Sequence, residues 1–162
     1  LHGTTHGARF ARREEIRAGM TLFSGVTERT LFSRCNDTLL MERAGALEPD
    51  DFRHEQNLLV WEGETLVLFA GCAHCGIVNI VREAERAAGR KLTAVFGGFH
   101  LQNPSTGVSE PHEHIRAVGE ALLASGARYY TGHCTGEAPY FQLKQIMGEN
   151  LAAITTGGVY EL

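Results

Sequence analysis

The stretch TLVLFAGCAHCGIVNIVREAERAAG, residues 65–89, changes its period in the middle, and that change decides the architecture. TLVLFAG (65–71) is a short apolar run rich in leucine, valine and phenylalanine, which reads as a buried strand. GIVNIVREAERAAG (76–89) instead places Ile77, Ile80, Val81, Ala84 and Ala88 on one helical face, and Gly89 closes the helix. Between the two lies Cys72-Ala73-His74-Cys75, so reactive side chains stand where a strand hands over to a helix. In an open α/β sheet such strand ends gather along one edge, where ligands bind.

Upstream, NLLVWE (57–62) precedes a turn at Gly63 and predicts a hairpin with 65–71. MTLFSGV (20–26), TLFSR (30–34) and DTLLMER (37–43) read as three short strands, and AGALEPDDF (44–52) as a turn-rich connection containing Pro49, Asp50 and Asp51. ARFARREEIRAG (8–19) has a helical flavour that stops at Gly19. Downstream, strand-like KLTAVFGGF (91–99), loop QNPSTGVSEP (102–111), helical HEHIRAVGEALLASG (112–126), strand-like ARYYTG (127–132) and helical EAPYFQLKQIMG (137–148) alternate, before LAAITTG (151–157) and a closing GVYEL. The first half is strand-rich and the second alternates, which is a mixed α/β (α+β) layout. No repeat, low-complexity tract or linker divides the chain, so residues 1–162 read as one domain or a large piece of one.

Composition narrows the partners. The 162 residues carry a net charge of −4 with both signs mixed and no Lys/Arg block, which argues against a nucleic-acid binder. Apolar runs such as LVLFAGCA (66–73) are too short for a bilayer, and no basic stretch followed by an apolar one opens the chain as a secretory signal would. Cys35, Cys72, Cys75 and Cys134 are too few and too scattered for a disulfide scaffold, so the expected setting is a reducing cytoplasm. The expected partner is a small-molecule substrate. The opening LHGTTHGARF has no initiator Met, which fits a fragment.

Three histidines share one context. His74 follows TLVLFAGC, His100 follows KLTAVFGGF and His133 follows ARYYTG, each at a strand's C-terminal end and each preceded by glycine: Gly71, Gly97 with Gly98, and Gly132. One such histidine reads as a polar cap. Three in the same setting read as a metal site, since neutral imidazole is the commonest zinc ligand and strand ends hold it rigidly. With an open coordination position, bound water would become a hydroxide nucleophile near neutrality. His2, His6, His54, His112 and His114 are weaker candidates, and HEQN (54–57) lacks the second histidine of a zinc-protease motif.

A competing reading takes Cys72 and Cys75 as a C-x-x-C pair at a helix N-terminus, as in thioredoxin-like redox modules. It leaves His100 and His133 without a role, and Pro104 and Pro111 lie in a loop rather than before a strand. Small buried residues explain Cys72, Cys75 and Cys134 more simply, and that reading ranks ahead of the redox one.

The strings DDFRHEQNLLV (50–60), FAGCAHCGIVNIV (69–81), VFGGFHLQNPSTG (95–107) and YYTGHCTGEAPY (129–140) resemble the metallo-β-lactamase superfamily. They are most similar to its group of hydrolases related to the dihydropterin–ribofuranosylaminobenzene phosphate synthases. The resemblance implies a four-layer αββα sandwich with one or two divalent metals, usually zinc, at one edge. It makes His74 and His133 metal ligands, and it places His100 near where many relatives carry a metal-bridging Asp. It implies hydrolysis of an ester, phosphoester or related bond by metal-bound hydroxide, with a pterin-linked phosphate synthase-type transferase as the alternative. Thr135 and Gly136, opening the helix after His133, offer backbone N–H groups to an anionic substrate, although ordinary capping accounts for them too. The superfamily's H-x-H-x-D-H is absent from these 162 residues. The chain therefore reads as the C-terminal, larger part of such a domain, inactive by itself.

Overall fold

The computed structural model describes residues 13–162. Nine strands and three helices follow in chain order. The strands are β1 (Arg13–Arg17), β2 (Met20–Phe23), β3 (Leu40–Arg43), β4 (Ala46–Pro49), β5 (Asn57–Glu62), β6 (Thr65–Phe69), β7 (Ala94–Phe96), β8 (Arg128–Thr131) and β9 (Leu151–Ala153). The helices are α1 (Ile77–Ala88), α2 (His112–Leu123) and α3 (Glu137–Met147). Seven strands form one mixed sheet in the order β1-β2-β5-β6-β7-β8-β9, while β3 and β4 pair as a separate ribbon.

The sheet divides where the sequence changes period. From β1 to β6 the neighbours are antiparallel, and from β6 to β9 they are parallel, with α1, α2 and α3 as the intervening crossovers. Alternation along the strands sends Leu59, Leu66, Leu68, Val95 and Tyr129 into the core shared with Ile80 and Val81 of α1, Ile115 and Leu122 of α2, and Leu143 of α3. Each such buried aliphatic side chain contributes about 1.5–3 kcal/mol. The other face carries Val67, Phe96 and Tyr130, with Tyr160 packed beside them. Phe69 and Tyr130 each stack on Phe96, at 5.2 Å and 4.4 Å between ring centroids.

The helix expected over 8–19 is a strand where the chain is described; its first residues, 8–12, lie outside the described residues. β1 has no buried face of its own and exists because Arg13–Arg17 pairs along β2. Residues 30–34 are not a strand: Leu31 adopts φ +49°, and Ser33 caps a 3-10 turn over Arg34–Asn36. The turn-rich connection holds strand β4, which returns on β3 through a turn at Ala44 and Gly45. The hairpin β5–β6, the three helices and the loop between β7 and α2 stand where the periodicity places them.

Candidate metal centre

Parallel pairing aligns the ends of three strands, because Phe69, Phe96 and Tyr130 stand in register. The segments that follow therefore leave the sheet on one edge. They are cross-tied there by Ala70 N–H to the Phe96 carbonyl (2.8 Å), Gly97 N–H to the Tyr130 carbonyl (3.1 Å) and Gly98 N–H to the Gly71 carbonyl (2.8 Å). Left-handed backbone falls on Ala73 (φ +57°), His100 (+46°) and His133 (+51°), one at each junction, and on Gly76 (+89°) and Gly136 (+82°), but not on the glycines that precede the histidines. A non-glycine residue held there costs about 1–3 kcal/mol. The glycines serve close approach: a Cβ on Gly97 would stand 2.9 Å from the Ala70 carbonyl oxygen.

The junctions open into a cavity of about 330 Å³ whose wall includes His74, His100, His133, Cys35, Cys72 and Cys134. A larger depression of about 390 Å³ lies beside Arg43, Asp51 and Arg53. Its arginines are paired with Asp51, and the candidate histidines lie in the smaller cavity.

His74 is fixed from several sides. The Asn36 amide N–H donates to the His74 carbonyl at 2.9 Å, which orients the carboxamide so that its oxygen faces the ring Nδ1 at 2.9 Å. Nδ1 must then carry the proton, and Nε2 keeps its lone pair. Phe52 stacks on the ring at 4.8 Å, nearly parallel at 8°. The Glu55 carboxylate accepts the main-chain N–H groups of His74 (2.7 Å) and Cys75 (2.8 Å). Burial first, then the neighbouring His100, holds His74 down to about 4, so it is neutral, the ligating form, at physiological pH.

His100 is only 2% exposed, and neither of its ring nitrogens makes a well-formed hydrogen bond, although the Cys35 main chain lies close enough to favour the charged ring. Its ring centroid lies 4.1 Å from that of His74. Burial holds its pKa below the ordinary histidine value as well. Its main-chain carbonyl is 2.8 Å from the Ser33 hydroxyl, which also lies 2.7 Å from the Glu110 carboxylate. A buried imidazole without well-formed hydrogen bonds is costly unless something else binds it. The pair His74 and His100 thus fits a metal as part of a ligand set. His133 shares the cavity wall but is exposed. Among the described residues no group of three His, Cys, Asp or Glu side chains is arranged to hold a metal ion by itself.

Other sequence candidates fall elsewhere. Thr135 is fully buried, and its hydroxyl oxygen accepts the Phe99 N–H at 3.0 Å and pairs with the Thr131 hydroxyl at 2.6 Å. The N–H groups of Thr135 and Gly136 are engaged by the carbonyls of Gly132 and His133, so in this conformation neither is turned toward an anion. Cys75 is 1% exposed and its thiol donates to the Phe52 carbonyl at 3.3 Å. Burial, followed by the Glu55 charge, pushes it up to about 12. Closed to solvent and bonded to Phe52, the second thiol is not placed to serve the thioredoxin-like reading. Asn36, Ser33 and Glu110 are positioning groups that spacing along the chain did not single out.

This sheet, with its histidines at the parallel strand ends, has the fold of the metallo-β-lactamase superfamily. A solved metal-dependent hydrolase of the β-lactamase superfamily matches it with a TM-score of 0.74 and 27% sequence identity, over 94% of this chain and 57% of that one. In sequence, the chain is 34% identical over 94 residues to the 7,8-dihydropterin-6-methyl-4-(β-D-ribofuranosyl)-aminobenzene-5′-phosphate synthase of Methanocaldococcus jannaschii, a match covering 57% of this chain and 30% of that enzyme. It is also 29% identical over 80 residues to an uncharacterised protein of the same organism, covering 49% of this chain and 28% of that protein. The chain thus spans under a third of the length of these curated relatives. No family model matches it.

Proposed function

We propose that this chain is the larger part of a metal-dependent hydrolase domain, in which His74, His100 and His133 contribute to the metal site and the remaining ligands come from outside the described residues. The observation that carries the reading is His100: a buried imidazole whose ring nitrogens make no well-formed hydrogen bond, beside a His74 whose Nε2 is held free. When bound, the metal, zinc in this reading, supplies Lewis acidity and lowers the pKa of coordinated water. The chain's own part is to hold neutral imidazoles rigidly and to shape a cavity for a small ester, phosphoester or related substrate. Four free thiols are in keeping with a cytoplasmic setting.

The test is metal content of the full-length protein, purified without added metal and after zinc loading. The paired substitution His74→Ala with His133→Ala is expected to lose bound metal while the far-ultraviolet circular dichroism stays native. Retained metal in that pair overturns the assignment. A second reading, a pterin-linked phosphate synthase-type transferase, is supported by the similarity to the synthase. Turnover of simple phosphodiesters by the metal-loaded protein favours the hydrolase. Turnover that requires a pterin co-substrate favours the transferase.

A further inference from the structure

We propose that Cys72 and Cys134 form a redox-convertible pair, closed to a disulfide by a peroxide, that links the end of β6 to the end of β8 at the mouth of the metal cavity. Cys72 lies in the segment after β6 and Cys134 in the one after β8, 62 residues apart in sequence. The fold brings them together: the Cys134 thiol donates to the Cys72 carbonyl at 3.5 Å, and both residues line the same cavity. Gly98, in the segment after β7, the strand between β6 and β8, makes this possible. A Cβ there would stand 2.5 Å from the Cys134 sulfur and 3.5 Å from the Cys72 Cα, so any side chain would occupy the place the sulfur now takes. The Gly98 N–H to Gly71 carbonyl bond holds that strand end against the segment bearing Cys72.

The other thiols are engaged elsewhere. Cys75 donates to Phe52 and is closed to solvent, while Cys35 is 7% exposed with its sulfur 3.8 Å from the Val108 carbonyl. The pair that spacing along the chain suggests, Cys72 with Cys75, is therefore not the pair the fold assembles.

The chemistry balances with hydrogen peroxide as oxidant. One sulfur attacks a peroxide oxygen, the O–O bond breaks, and a water leaves with the thiol proton, giving a sulfenic acid. The second sulfur attacks the first, the S–S bond forms, the S–O bond breaks and a second water leaves with the second thiol proton. Two thiols have then given two electrons to one peroxide. Cys72 is two residues from His74 and Cys134 adjoins His133, so the link would tie together two of the segments that carry candidate ligands. In a reducing compartment such a bond is transient and suited to sensing.

The experiment uses the chain treated with chelator, exposed to hydrogen peroxide, quenched with an alkylating reagent and mapped by mass spectrometry. Expected is a loss of two hydrogens located in a Cys72–Cys134 cross-linked peptide, reversed by a dithiol reductant, retained in Cys75→Ser and absent in Cys72→Ser. A link from Cys72 to Cys75 or Cys35 overturns the proposal. So does oxidation of Cys72 and Cys134 to sulfinic or sulfonic acid without a link, or full alkylation of both. The readout contains no metal, so it fails or succeeds separately from the hydrolase assignment.

Discussion

Asn36 grips His74 at two points, the main-chain carbonyl and the ring Nδ1, each at 2.9 Å. One contact orients the amide and the other selects the tautomer, so this single side chain decides which nitrogen His74 presents to the cavity. Outer-shell partners of this kind affect metal affinity by about 10–100-fold. Asn36→Ala in the full-length protein is expected to weaken zinc binding by that order, read by competition with a chromophoric chelator. Unchanged affinity would remove Asn36 from the site.

Two glycines near the same edge should respond differently to alanine. A Cβ on Gly97 meets the Ala70 carbonyl oxygen at 2.9 Å and the Ala70 Cβ at 3.0 Å, and Ala70 is itself tied to Phe96 by its N–H. Neither neighbour can withdraw without breaking the β6–β7 register, so Gly97→Ala should cost about 1–3 kcal/mol. A Cβ on Gly71 meets nothing within 4 Å, and its φ lies outside the left-handed range. Gly71→Ala should stay within about 0.5 kcal/mol of the parent. Urea unfolding of the two variants decides the matter.

Glu110 gives the fold a defined acid sensitivity. Burial pushes its carboxyl up, but hydrogen bonds from the Ser33 hydroxyl and the Cys35 N–H outweigh it and hold the group below its ordinary 4.5. A depressed carboxylate contributes stability above its unfolded pKa and loses it as pH falls through the folded value. Unfolding free energy should therefore decline below 4.5 in the parent, and that component of the slope should vanish in Glu110→Gln. Equal slopes in both proteins would show that the Ser33–Glu110 contact is not retained in solution.

Thiol labelling separates the two cysteines of the C-x-x-C. Cys75 is shut in against Phe52 and held high in pKa, whereas Cys72 faces the cavity. In the native protein an alkylating reagent should modify Cys72 well before Cys75, which should react only with denaturant present. Simultaneous modification, followed by peptide mapping, would contradict the placement of Cys75.

What could be read in advance follows the apolar pattern. The β5–β6 hairpin and helices α1 to α3 each bury one periodic face, so Leu59, Leu66, Ile80 and Ile115 announce them. β1 buries no face, and its Arg-Glu-Glu-Ile-Arg string reads as helix until the partner strand is present. The histidines were found because strand ends can be located in sequence. Their supports were not, since Asn36 reaches His74 across 38 residues and Ser33 reaches Glu110 across 77. The glycines before the histidines mark where space is needed, but position in the chain does not show which residue bends.

The left-handed backbone at His100 has a consequence for how this position can change. Asp and Asn share with His an enrichment in that conformation, whereas β-branched side chains are outliers there. An aspartate could therefore stand where His100 stands with its main chain undisturbed, exchanging an imidazole donor for a carboxylate while β7, the Ser33 contact and the loop beyond stay in place. The backbone at this corner thus sets no preference between the two side chains; a carboxylate buried there would need a cation beside it, which ties the exchange to the proposed metal.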